Sequence, residues 1–200
     1  MARTLPTFSV RPIGSTGSWA TFVRTHRSRT NRLLSELQVL AEEVQISWPT
    51  NLGDALTNQA EHPELWEKCE RRDTLSDVVR VTAAMAVEGF LNFYGMYRLG
   101  PAVFDEHYER LGLVPKLRGL LLICDHIDLP KKHLLVTYLD RVAHSRNGLV
   151  HPKAIEVVGN TLLAPLSIPG EAEEVVTAME SFFAEFANLV PEAAFLTKQP

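Results

Sequence analysis

From Ser18 onward, apolar residues recur at helical spacing along most of the chain. In the first such stretch Phe22, Leu33, Leu34, Leu37, Leu40, Ala41 and Val44 share one face. Ser18 serves as the N-cap of this helix, and Trp48-Pro49 ends it beyond Ile46. Thr50 to Asp73 is polar and turn-rich, with a short helix predicted over Pro63 to Arg72. Thr74-Leu75-Ser76-Asp77 reads as a second N-cap region, opening a helix that Gly100-Pro101 stops after Leu99. Shorter helices are predicted at Phe104 to Leu111 and at Pro115 to Cys124, the latter with Pro115 near its start. Another runs from Lys131 to His151 and is closed by Pro152. The period then changes. Ile155, Val157 and Val158, the Gly159-Asn160 pair, and Thr161, Leu162 and Leu163 predict a small β-hairpin near 154–164. The last helix spans Gly170 to Leu189, with Val175, Val176, Met179, Phe182, Phe183 and Phe186 on its apolar side. The pattern predicts an all-α bundle with one β excursion, residues 18–200 forming a single domain behind a flexible arm, Met1 to Gly17.

Composition narrows the function classes. The 200 residues carry 20 Lys+Arg against 24 Asp+Glu, a formal net charge of −4, and 46% are hydrophobic. Disorder is excluded by that apolar content, and a basic coat for nucleic acid by the charge. Contact with RNA or DNA therefore requires a local patch. The most basic segment holds Arg24, His26, Arg27, Arg29 and Arg32. It reads either as a solvated helix face or as a phosphate-contacting strip. Cys69 and Cys124 lie 55 positions apart in no CxxC pair, so a cytoplasmic chain with reduced thiols is expected. The N-terminus has no apolar run long enough for a signal peptide. Val81 to Tyr97 spans 17 residues and includes Glu88 and Asn92, too short and too polar to cross a membrane. It reads as a buried helix.

No P-loop, GxGxxG after a strand, HExxH or GxSxG occurs. His133, His144, His151 and Asp140 fall near one helix face, but histidine gaps of 11 and 7 residues are too wide for one ion. No metal and no cofactor is expected. Cys124-Asp125-His126-Ile127-Asp128 reads as a helix end followed by a polar turn. Net acidity and Gly/Pro interruptions disfavour a helix-turn-helix DNA reader.

The chemistry concentrates in D-R-V-A-H-S-R-N-G-L-V-H-P, Asp140 to Pro152. At about 100° per residue, Leu135, Tyr138, Leu139, Val142 and Leu149 form one apolar stripe, and Arg146 projects into it. Asp140, His144, Asn147 and His151 project to the opposite side. A guanidinium aimed at an apolar face needs a carboxylate, a polar cleft or a partner chain. Glu88 is the only formal charge between Val81 and Tyr97. Projection puts it with Val81, Met85, Asn92 and Leu99 on the inner side of its helix. Glu88 and Arg146 are therefore predicted to be neighbours, either as a buried bridge that orders the bundle or as a carboxylate orienting a working arginine.

Arg146-Asn147-Gly148-Leu149-Val150-His151 resembles the R-(polar)-x-x-x-H motif of the HEPN superfamily of small helical bundles. Ala84 to Tyr94, A-M-A-V-E-G-F-L-N-F-Y, resembles that family's Glu/Asn-bearing second helix. The resemblance covers Thr74 to His151, and the final helix is compatible with it. It implies an antiparallel helical bundle that forms a homodimer with a composite active site. It also implies metal-independent endoribonuclease activity of the toxin or defence type, in which the RNA 2′-hydroxyl is the nucleophile. His151 is then the general acid or base, Arg146 holds the scissile phosphate, and Asn147 positions the phosphate or the imidazole. Glu88, Asn92, His144 and Asp140 are supporting residues. An antitoxin or other protein partner belongs to that picture. The alternative is a catalytically silent HEPN-like dimerisation or binding module.

Overall fold

The computed structural model describes residues 9–13, 18–44, 57, 59–150, 157–158, 161–162 and 169–194. Helix α1 spans Ser18–Glu43 and α2 spans Pro63–Leu99. They are followed by α3 (Pro101–His107), α4 (Leu113–Asp125), α5 (Leu134–Val150) and α6 (Pro169–Leu189), with a 3-10 turn at Pro191–Ala193. Between α5 and α6, β1 (Val157–Val158) pairs antiparallel with β2 (Thr161–Leu162), Val157 opposite Leu162 and Val158 opposite Thr161. Among the described residues the bundle is all-α apart from this two-residue ladder. The Gly159-Asn160 turn, Trp48-Pro49, Pro152 and His151 lie outside the described residues.

The core forms where α2 meets α6. Phe90 packs edge-on against Phe183 at 5.3 Å and against Phe186 at 4.8 Å, and Tyr94 against Phe186 at 5.3 Å. All four rings are buried, each contributing about 1.5–3 kcal/mol by leaving water. Helices α1 and α5 each pack on both α2 and α6, which also pack on one another. That arrangement sets α1 and α5 at opposite corners of the bundle, while α3 and α4 lie against α2.

Three expectations change. The helix breaks predicted near Thr74 do not occur: α2 runs unbroken for 37 residues. Asp73, Thr74, Ser76 and Asp77 resemble cap residues, but neither Gly nor Pro separates Pro63 from Glu88. A polar residue inside a helix costs only about 0.5 kcal/mol, and packing outweighs it. Cys69, Arg72 and Ser76 are buried, and Arg72 Nη1 donates to the Val44 carbonyl at 3.3 Å as α1 ends.

Second, α3 begins at Pro101 rather than at Phe104, because proline fits the first turn of a helix. Gly100, at φ 84°, makes the break from α2. Phe104 then reaches back so closely over Gly95 that a Cβ there would collide with its ring. Helix α5 likewise starts at Leu134 rather than at Lys131. His133 Nδ1 accepts the Leu135 N–H at 3.2 Å and so caps the first turn.

Third, part of the N-terminal arm is docked. Val10 and Ile13 pack on the core, and the Arg11 N–H donates to the Arg98 carbonyl at 2.8 Å. The remainder of Met1 to Gly17 lies outside the described residues.

Candidate functional site

The site is built where the last two turns of α5 cross α2. Leu135, Val136, Leu139 and Val142 bury the inner stripe of α5 much as the periodicity predicts. Ser145 and Arg146 continue that stripe toward solvent. Arg80 of α2 fixes the crossing. It is buried, donates from Nε to Ser145 Oγ at 2.7 Å, and pairs with Asp77 at 3.4 Å and with Glu171 of α6 at 3.1 Å.

Arg146 Nη2 lies 3.9 Å from Glu88 Oε2. The predicted neighbours are neighbours, but they are not buried: the two side chains are 38% and 36% exposed. Their surroundings explain this. Val81, Met85, Glu88 and Asn92 lie on the outer side of α2, not the inner one, and Met85 is 48% exposed. Of the five residues projected inward, only Leu99 is buried. Apolar residues surround α2 almost completely, so their period does not choose a face; the covering helices do. Val79, Ala83, Ala86, Val87, Phe90 and Leu91 take the interior. An ion pair this exposed and this long contributes about 0–1 kcal/mol, so Glu88 tethers Arg146 without committing it.

The remaining expected residues fall into separate groups. Asp140, His144 and Asn147 are exposed together on the solvent side of α5. Asn92 stays with Glu88, one turn along α2. His151 follows α5 outside the described residues. The arginines of α1 do not form one strip. Arg27 is only 4% exposed, is ion-paired with Glu180 of α6, and sits 4.5 Å over the Phe183 ring. Asn31 donates to the same carboxylate at 3.0 Å. Arg24 is half-buried, and burial together with the Arg29 charge lowers the pKa of His26. Arg29 is exposed, as is Arg32, which lies 3.7 Å from Glu36. All of them sit across the bundle from α5.

Lys116 of α4 is the residue that sequence reasoning missed. It is 1% exposed, and its Nζ donates to Asn92 Oδ1 at 2.6 Å and to the Glu109 carbonyl at 3.2 Å. The ammonium also lies 5.5 Å over the Phe104 ring. Burial pushes its pKa down, while the Glu88 and Glu109 carboxylates oppose that shift. The signal was available: Leu113, Lys116, Leu117 and Leu120 follow helical core spacing with Lys116 inside it.

The Cys124-Asp125-His126 segment ends α4 in a polar turn, with His126 in the left-handed conformation at φ 58°. Asp125 accepts from Tyr94 Oη at 2.5 Å and from Arg98 Nη1 at 2.6 Å. Burial pushes the Tyr94 hydroxyl up and the Cys124 thiol up to about 12. Cys69 is buried as well. Neither thiol has the ionised character a nucleophile needs. Among the described residues no group of three His, Cys, Asp or Glu side chains could hold a metal ion, and no helix is long and apolar enough to cross a membrane. In comparison with known proteins, no family model matches the chain, and no curated protein or solved structure matches it either.

Proposed function

We propose that the chain is a HEPN-like module whose Arg146-to-His151 segment cleaves RNA as a metal-independent endoribonuclease. One observation carries this reading: Arg146 is tethered by Glu88 at 3.9 Å yet more than a third exposed. A bridge that merely orders a bundle is buried and closely bonded; this guanidinium is held at a surface and free to accept a second anion. A guanidinium so placed binds a phosphodiester and stabilises the charge that develops on it. His151, five residues on, supplies the imidazole that moves the 2′-hydroxyl proton, and Asn147 orients the phosphate or the ring. The exposed apolar positions on α2, Met85 one turn before Glu88 and Val78 two turns before Met85, support a second copy seated there and a composite cleft. The test is cleavage of single-stranded RNA with chelator present. Activity that is lost in the doubly substituted Arg146→Ala, His151→Ala protein supports the proposal; activity that persists unchanged refutes it.

A second reading, the silent dimerisation or binding module, draws on the placement of α1. Arg29 and Arg32 face solvent at the corner opposite α5, and Arg27 is bonded within the bundle. Among the described residues, the arginines of α1 therefore form no basic track to Arg146 within one protomer. Wild-type protein that dimerises but leaves RNA intact favours this reading.

A further inference from the structure

We propose that Lys116 is a positioning residue of the Arg146 site. It shares the Glu88 carboxylate with Arg146, so that Arg146 can turn from Glu88 to a phosphate while Glu88 keeps a counter-cation. The proposal rests on the reading of Arg146 as the phosphate-holding group. It does not require that the bound phosphodiester be cut.

The geometry is a chain across three helices. Arg146 of α5 lies 3.9 Å from Glu88 of α2. Asn92 stands one turn after Glu88 on the same face of α2, a spacing at which side chains are neighbours. Lys116 of α4 donates to Asn92 Oδ1 at 2.6 Å. The Glu88–Asn92 pair is thus flanked by a cation on each side, one open to solvent and one sealed from it. Lys116 needs a negative charge that its direct contacts do not provide. Asn92 and the Glu109 carbonyl are neutral acceptors, and among the described residues no carboxylate lies within ion-pair distance of Nζ. An ammonium in so dry a site relies on the nearest anions at longer range. Glu88 is the stronger of these, ahead of the solvent-exposed Glu109.

The consequence concerns Arg146. With Arg146 as its only cation, Glu88 would be left without a counter-charge whenever a phosphate drew Arg146 away. Lys116 removes that penalty. It also stays in place when Arg146 moves, because its ammonium is bonded to α2 and to the turn after α3.

The experiment uses the full chain and two readouts. In the first, the Lys116 Cε resonance is followed against pH in wild type and in Glu88→Gln. The Lys116 pKa is expected to fall further in the variant; an unchanged value overturns the proposal. In the second, inorganic phosphate is titrated while the Arg146 Nε–Hε resonance is observed. Lys116→Met should weaken phosphate binding about three- to fivefold, the size of a partly exposed charge pair. It should have no further effect in the Glu88→Gln background, where no carboxylate restrains Arg146. Equal weakening in both backgrounds, or none in either, contradicts the proposal, as does phosphate that leaves the wild-type Arg146 resonance unmoved. Should Lys116→Met fail to fold, the Lys116 titration in Glu88→Gln decides alone. A protein that meets these results but leaves RNA uncut loses the nucleolytic reading and keeps this one.

Discussion

Arg80 Nε donates to Ser145 Oγ at 2.7 Å and so joins the middle of α2 to the residue immediately before Arg146. The same guanidinium reaches the Ser145 carbonyl at 3.4 Å and Glu171 of α6 at 3.1 Å, so three helices are fixed at one point. Ser145→Ala removes an acceptor from this buried group and should destabilise the protein by about 1–3 kcal/mol in urea unfolding. Ser145→Thr keeps the hydroxyl and should recover most of that loss.

The two sides of α2 should respond very differently to truncation. Phe90 is wholly buried among Phe182, Phe183 and Phe186, whereas Met85 is 48% exposed. Phe90→Ala is expected to destabilise by about 3–5 kcal/mol, and Met85→Ala by about 0.5 kcal/mol or less in the monomer. Thermal unfolding of both variants at low protein concentration checks the assignment of the outer face.

Glu88→Gln tests how loosely Arg146 is tethered. Because both side chains are more than a third exposed, the Arg146 pair itself should contribute less than about 1 kcal/mol, read as the difference between the effect of Glu88→Gln in wild type and in Arg146→Ala. Phosphate binding at Arg146 should be retained or strengthened. A loss of several kcal/mol in denaturant titration would mean that the pair orders the bundle instead.

Cys124 supplies a pH prediction. Burial raises its thiol from an ordinary value of 9.0 to about 12. The folded chain therefore holds a proton that the unfolded chain releases, and stability falls as pH rises. This contribution is intact below pH 9 and is lost between pH 9 and about 12. Tyr94, raised by burial and by the Asp125 carboxylate, acts in the same direction. Urea midpoints measured from pH 8 to pH 11 should decline, and Cys124→Ala should flatten part of the decline. At pH 8 both buried thiols should react with a thiol reagent only on unfolding.

Residues whose environment is set by local spacing were legible in the sequence. The α6 stripe from Val175 to Phe186 is buried as expected, and of the predicted α5 stripe Leu135, Leu139 and Val142 are buried while Tyr138 and Leu149 are half-buried. The Glu88–Arg146 proximity was also accessible, because each is the lone charge projected onto one apolar face of its helix. What misled was chemistry that tertiary packing decides. The cap-like residues Thr74 to Asp77 lie inside a helix held by α1, and the outer face of α2 carries apolar residues such as Val78, Val81 and Met85 as well as Glu88, so the period alone projects Met85 and Glu88 inward. Arg27 was read with its basic neighbours because no local signal pairs it with Glu180, 153 positions away. Lys116 was passed over because a lysine on a core stripe is ordinarily read as an edge residue that reaches for solvent.

The most direct measurement compares cleavage of a single-stranded RNA, with chelator present, by wild type, by Arg146→Ala and by the double variant Arg146→Ala, His151→Ala, all shown to be folded. If the exposed guanidinium at the end of α5 holds the scissile phosphate, the single variant loses about a hundredfold or more of the rate and the double variant falls to background. Cleavage at the wild-type rate in the double variant, or intact RNA with wild-type protein, contradicts that role.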